Sequence, residues 1–206
     1  MQIEVVKVGS RQSPLARLQA DNAISRIDYP AEIITMLEVA DEDLSRPVHE
    51  MGGKGMFCTK LEKALINRQI HCAIHSAKDC ATIETPGTEL LGVVYRGDPR
   101  DCVIGDHSLH QLPAGSRIGT SAPRRIEAIR LIRPDCQVVE VRGNVNTRLN
   151  KLRDKQVDAL ILGQSVIDRM GLDVPHHTIS EEVILPAAGA GKVVVQVRKD
   201  DLHIKG

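Results

Sequence analysis

The stretch P-A-A-G-A-G-K-V-V-V-Q-V at Pro186–Val197 decides the fold. Its end, Val193–Val197, is a β-branched run of strand length, and Pro186, Gly189 and Gly191 punctuate the chain just before it. A strand placed so late, after such a break, can carry the chain back to a sheet begun at the N-terminus. Ile3 to Val8 is the predicted first strand of that sheet. Ser13-Pro14 then predicts a helix start, with Ser as N-cap and Pro at the first helical position. Ala16, Ala20, Ala23, Ile24 and Ile27 follow at helical spacing.

Strands and helices alternate in this way along most of the chain, the pattern of an α/β protein with mostly parallel sheets. Further strands are predicted at Glu32–Leu37, Cys72–His75, Glu89–Tyr95, Cys102–Ile104, Arg117–Gly119, Gln137–Val141 and Ala159–Leu162. Helices are predicted around Phe57–Leu65, after a cap at Ser121, and from a cap at Asn144 to Asp154. The polar, glycine-bearing run Asp41–Gly55 reads as a loop. The expected division is a discontinuous first lobe, residues 1–95 plus 185–206, and a continuous second lobe, 96–184. Two lobes joined by crossing strands describe a periplasmic-binding-protein-like architecture with a ligand cleft between the lobes. Sheets of this kind bind ligands beyond the carboxyl ends of their strands.

Composition narrows the partners. The 27 basic and 27 acidic residues cancel, so no global field draws in nucleic acid or anionic lipid. Tyr29, Tyr95 and Phe57 are the only aromatics, which leaves an aliphatic core and no stacking platform for single-stranded nucleic acid. No apolar run approaches the roughly 20 residues that span a bilayer, and the N-terminus lacks a signal-peptide pattern. The five cysteines are odd in number and widely spaced, as expected of reduced thiols in a cytoplasmic protein. Between Arg117 and Arg153, however, nine basic residues face three acidic ones, a local excess of +6 that predicts a confined anion site.

The residues of that site are legible in two related motifs. G-T-S-A-P-R-R (Gly119–Arg125) and R-G-N-V-N-T-R (Arg142–Arg148) each place a strand end, a small cap residue and a helix start in order. Arginine in a first helical turn opposes the macrodipole, and an anion resting on the free N–H groups reverses that penalty. Arg124, Arg125, Arg142 and Arg148 supply forked donors that match carboxylates. In the first lobe, H-S-A-K-D (His75–Asp79) ends a strand, where Asp79 can act as a general acid/base or stabilise a developing cation, with Lys78 beside it. Taken by itself, an Asp at this position reads as a turn or capping residue. S-R-Q-S-P-L-A (Ser10–Ala16) repeats the anion-site pattern with Arg11 and Ser13. Gly52–Gly55 and Gly189–Lys192 fail as P-loops because no Ser or Thr follows the Lys. His71 and His75 on one strand lie too far apart to share a metal, and His176-His177 lacks partners, so no metal site is expected.

Taken in order, the stretches V-G-S-R-Q-S-P-L-A-R-L-Q-A, G-G-K-G-M-F, A-I-H-S-A-K-D, R-G-D-P-R-D, L-P-A-G-S-R-I-G-T-S-A-P-R-R, R-P-D, R-G-N-V-N-T-R-L-N-K-L and I-L-P-A-A-G-A-G resemble the hydroxymethylbilane synthase (porphobilinogen deaminase) family. They run from Val8 to about Arg198 in the family's order. The resemblance implies a transferase of tetrapyrrole (heme) biosynthesis that joins four porphobilinogen units head to tail and releases ammonia each time. Each pyrrole carries an acetate and a propionate, which accounts for the arginines. The family's catalytic aspartate falls on Asp79, and its carboxylate-binding residues on Arg11, Ser13, Lys54, Ser121, Arg124, Arg125, Arg142 and Arg148, with Arg169 matching a further arginine. Asp41–Gly55 corresponds to the family's loop over the active site.

The resemblance also implies a dipyrromethane primer, held in the family by a cysteine in a third domain. This sequence ends at Gly206, before that domain, and none of its cysteines has the family's Gly-Gly-Cys context, so no attachment cysteine is assigned. Family positions are altered at Val39-Ala40, Thr59-Lys60, Cys80-Ala81 and Ala190. Three other readings stay open at this stage. One is a two-lobed protein that binds a pyrrole or tetrapyrrole without turning it over. Another is an enzyme whose third domain comes from a separate chain. The third is a short ATP phosphoribosyltransferase subunit, for which no phosphoribosyl-diphosphate motif is present.

Overall fold

A computed structural model describes residues 4–38 and 56–201. The expected loop at Asp41–Gly55, with Lys54, lies outside the described residues. The chain divides into two units, Met1–Arg96 with Lys192–Gly206, and Gly97–Gly191. The return to the first unit thus falls at residue 192 instead of 185. The intervening segment is tied to the second unit, where Arg124 donates to the Leu185 carbonyl and Gly97 N–H to the Gly191 carbonyl at 2.9 Å.

In the first unit, β1 (Val6–Arg11), β2 (Ala31–Met36), β3 (Cys72–Ser76), β4 (Thr88–Arg96) and β10 (Lys192–Arg198) form one sheet in the order β2-β1-β3-β10-β4. β1 pairs in parallel with β2 and β3, whereas β10 is antiparallel to both β3 and β4. Four strands therefore share one direction and β10 alone is reversed, so the expectation of mostly parallel sheets describes strand direction more than pairing. Helix α1 (Pro14–Ile24) covers one face, burying Ala16, Ala20 and Ala23. These small side chains let it approach a layer of Val6, Val8, Cys72, Ile74, Val193 and Val197. Helix α2 (Thr59–Ile66) covers the other face with Leu61, Ala64 and Leu65 against Ile70 and Ala73. Its first N–H groups are capped from outside the helix: the fully buried Glu38 carboxylate accepts from Lys60 N and Leu61 N, both at 2.9 Å. An anion at this position satisfies orphan donors and complements the helix dipole.

The second unit repeats the plan. β5 (Asp101–Ile104), β6 (Arg117–Thr120), β7 (Gln137–Glu140), β8 (Ala159–Gly163) and β9 (His176–Thr178) form a sheet in the order β7-β6-β8-β5-β9. β6 is parallel to β7 and β8, and β5 is antiparallel to β8 and β9, so again one strand is reversed. In each unit the reversed strand is the first to form after the chain crosses from the other unit. Strict alternation sends Val103, Ala159 and Ile161 into one aliphatic layer, and Cys102, Ile104, Leu160 and Leu162 into the layer on the opposite face. Helices α3 (Pro123–Ile132), α4 (Val145–Arg153) and α5 (Gln164–Met170) complete the unit. Asn144 caps α4 as expected, accepting from Thr147 N at 3.0 Å. Ser121 does not cap α3. The N-cap is Ala122, whose N–H is taken by Thr120 Oγ1 at 3.3 Å.

Gly191 is held at φ +73, and a Cβ there would lie 2.4 Å from the Gly97 carbonyl oxygen. A side chain would meet both the left-handed penalty and a rigid backbone neighbour. Gly191→Ala is therefore expected to cost roughly 2–4 kcal/mol of stability, read as a lower urea midpoint. A loss below about 1 kcal/mol would show that the segment relaxes freely.

Candidate functional site

In the first unit, adjacency of parallel strands brings two sequence-distant residues together. Arg11 ends β1, and Asp79 closes a 3-10 turn, Ala77–Asp79, just after β3. Because β1 and β3 are parallel neighbours, both residues emerge at the same, carboxyl edge of the sheet. Arg11 Nη1 lies 3.7 Å from Asp79 Oδ2, and the two side chains are 21% and 23% exposed. That separation is an ion pair rather than a hydrogen bond, which leaves the carboxylate able to accept from a ligand. The Arg11 guanidinium also sits 4.4 Å over the Phe57 ring, a contact that steadies its plane. Ser13 Oγ is occupied as a cap, accepting from Ala16 N at 3.2 Å. Lys78 is exposed on the turn.

Behind this edge, His75 is 3% exposed, and burial pushes its imidazole down to about 4, so it is neutral. Its face of β3 is the face covered by α2, and there it meets two thiols. One donor atom each from Cys58, His75 and Cys80 lies within 4.8 Å of the other two. Sequence spacing had no means of showing this group, because its members come from a helix start, a strand and the end of a turn.

In the second unit the arginines separate into two kinds. Asp101, 1% exposed at the start of β5, receives both residues of the Arg124-Arg125 pair. Arg124 donates Nη1 and Nη2 to its two oxygens at 2.6 and 3.0 Å. Arg125 donates Nε and Nη2 at 3.0 and 2.8 Å, and spends Nη1 on the Ile161 carbonyl at 2.9 Å. Burial pushes the Asp101 carboxyl up, yet the bonds from Arg124 and Arg125 outweigh it and hold the group below its ordinary range. Arg125 is buried and hydrogen-bonded at every nitrogen, and Arg124 adds a bond to the Leu185 carbonyl to its two to Asp101. Arg169 is also engaged, donating to the Gly191 carbonyl.

Arg148 is of the other kind. It is half-buried, donates Nε to the Gly143 carbonyl at 2.9 Å, and has no carboxylate partner among the described residues. Burial, then the neighbouring charges of Arg125 and Arg142, lower its guanidinium to about 10. Arg142 is half-buried one residue before the Gly143 turn, and Ser121 is half-buried beside the start of α3. An anionic ligand at Arg148 would offset the repulsion it feels from Arg125 and Arg142. The sign is definite: a base whose folded value lies below its unfolded one costs stability while charged. The cost is present below about pH 10 and fades as pH rises through that value. Arg148→Met is therefore expected to raise the melting temperature of the unliganded protein by about 2–4 °C, while abolishing any upward shift produced by a polycarboxylate ligand. An unchanged ligand shift would remove Arg148 from the site.

Among the described residues no helix is long and apolar enough to cross a membrane. Residues 6–206 match the family described as porphobilinogen deaminase, dipyrromethane cofactor binding domain. The porphobilinogen deaminase of Geobacter metallireducens is 39% identical over 97% of this chain and 65% of its own length. A probable porphobilinogen deaminase of Methanopyrus kandleri is 34% identical, over 98% of this chain and 70% of its own. The chain thus spans about two thirds of the length of these relatives. Among solved structures, a probable amino-acid ABC transporter extracellular-binding protein from Bacillus subtilis aligns with TM-score 0.51 at 11% identity, covering 99% of this chain and 88% of its own. The ligand-binding component of an ABC-type import system from Staphylococcus aureus aligns with TM-score 0.52 at 12% identity, covering 98% and 69%. The fold is of the periplasmic-binding-protein type.

Proposed function

The chain belongs to the porphobilinogen deaminase family, and from that membership we propose that it joins porphobilinogen units head to tail into a linear tetrapyrrole in the cytoplasm, releasing one ammonia per unit. The observation that carries this reading is the Asp79 carboxylate beside Arg11 at the carboxyl edge of the first sheet. The aminomethyl group carries its proton as an ammonium, so when its C–N bond breaks the nitrogen takes the bonding pair and leaves as ammonia. The remaining pyrrole carries a positive charge shared with its N–H. A carboxylate that accepts that N–H stabilises the charge where it develops. The α-carbon of the neighbouring pyrrole then forms the new C–C bond and gives up its proton, restoring the aromatic ring. Arg11 Nη1, 3.7 Å from Asp79 Oδ2, orients the carboxylate without closing a hydrogen bond to it.

Arg142 and Arg148 are assigned the acetate and propionate groups, because charge relief at Arg148 calls for carboxylates. The same donors fit dipyrromethane, whose two pyrroles carry the same acids. Dipyrromethane supplies, when bound, the pyrrole to which the first unit is joined. No thiol of this chain is assigned to hold it: Cys58, Cys72 and Cys102 are buried, and Cys80 and Cys136 half-buried.

The test is incubation of the purified chain with porphobilinogen, following ammonia and, after acid oxidation, the uroporphyrin spectrum. Ammonia and porphyrin rising together with time support the proposal. Porphobilinogen bound but not consumed would replace it with a binding protein.

A further inference from the structure

The Cys58, His75 and Cys80 group has a chemistry that the tetrapyrrole reaction does not use. All three donor atoms lie within 4.8 Å of one another. Cys58 is 1% exposed and His75 3% exposed, while Cys80 is half-buried. The two thiols are hydrogen-bonding neighbours of each other, and their remaining contacts are long: Cys58 Sγ is 3.7 Å from the Asp79 carbonyl, and Cys80 Sγ 3.9 Å from the Ser76 carbonyl. His75 Nε2 is buried and closes no well-formed hydrogen bond, the Gln196 side chain being the ring's one hydrogen-bonding neighbour among the described residues. A buried imidazole so weakly satisfied has capacity left for a ligand.

We propose that Cys58, His75 and Cys80 form a binding site for one thiophilic metal ion of the Zn2+ class. Two sulfurs and an imidazole nitrogen are a preferred donor set for such an ion. Bonds of about 2.3 Å to sulfur and about 2.0 Å to nitrogen place tetrahedral ligands roughly 3.5–3.8 Å apart. Donors already within 4.8 Å reach that spacing by small side-chain rotations. Binding releases one proton from each thiol, and three protein ligands leave a fourth position for water.

The position of the site gives it a consequence. Cys58 is the N-cap residue of α2, His75 lies on β3, and Cys80 directly follows the turn that carries Asp79. One ion would thus lock helix start, strand and turn together, and would fix the backbone on which Asp79 stands. Binding itself does not depend on the proposed tetrapyrrole activity.

The test is a Co2+ titration of the reduced, metal-free chain under anaerobic conditions. Wild type is expected to take up one ion, with the visible and near-ultraviolet absorption of thiolate-ligated tetrahedral Co2+, and to lose that absorption on addition of Zn2+. Cys80→Val, at the half-buried position and so the gentler change, should weaken binding at least about 100-fold, as should Cys58→Val. Cys136→Val, which alters a thiol outside the group, should leave the titration unchanged. Circular dichroism identifies variants that remain folded. Absence of the thiolate band in folded wild type, or a band that survives Cys80→Val, would overturn the site. A Cys58–Cys80 disulfide that resists reductant and excludes metal would overturn it as well.

Discussion

Asp79→Asn is expected to consume porphobilinogen about 10²–10⁴ times more slowly than the parent chain. Asn keeps the size of the side chain and can still accept one hydrogen bond, but it carries no charge to set against a cationic pyrrole. It also releases Arg11, whose guanidinium retains the Phe57 ring as a support. The substrate's own carboxylates are assigned to arginines elsewhere, so binding should change far less than turnover. The check is a pair of measurements on one preparation: the rate of ammonia release at saturating porphobilinogen, and the ligand-induced shift in melting temperature. A rate within about threefold of the parent would remove Asp79 from the chemistry. Loss of rate and of thermal shift together would place it in binding instead.

Asp101→Asn is expected to cost about 3–5 kcal/mol, the usual result of removing one partner from a buried charge cluster. Asp101 is 1% exposed and accepts four hydrogen bonds from two guanidiniums, one of which is buried with it. Asn cannot accept all four and leaves two positive charges facing each other. Denaturant unfolding measures the loss, and a change below about 1 kcal/mol would show that water compensates. The pH dependence supplies a second reading. Asp101 titrates below its ordinary value of 3.8 in the folded protein, so its contribution is present above that value and is lost as pH falls through the folded one. The parent should therefore show an acid-range decline in stability that Asp101→Asn flattens.

Much of the architecture could be read from the residues because it follows from local periodicity. Ala16, Ala20 and Ala23 repeat at helical spacing and are buried along one side of α1. Ser13-Pro14 and Asn144 are caps whose chemistry acts within four residues. What stayed hidden depends on contacts between distant residues. Asp101, which Arg124 and Arg125 both bind, lies more than twenty positions upstream of them, out of reach of any local pattern. The seven-residue helix α5 and the three-residue strand β9 are too short and polar to show a period. His176 of β9 lies 3.2 Å from Gln164 Nε2, whose own amide oxygen accepts from Thr178, a contact no local period announces. R-P-D likewise resolves as structure: Arg133 binds Asp135 and the carbonyls of Leu109 and Leu112. The burial that lowers the Arg148 guanidinium likewise depends on packing among residues distant in sequence.

The place of β10 in its sheet has a bearing on how the chain is made. It lies between β3 and β4, so until residues 192–198 have left the ribosome nothing joins those two strands. Residues 97–191 form a continuous unit and emerge complete before that moment. The later-encoded unit should therefore mature first, while the N-terminal strands wait with an unpaired β3 edge exposed. Such an edge invites association with other chains. A nascent chain arrested just short of Lys192 is where chaperone capture and aggregation should be greatest, and both should fall once the last strand is inserted.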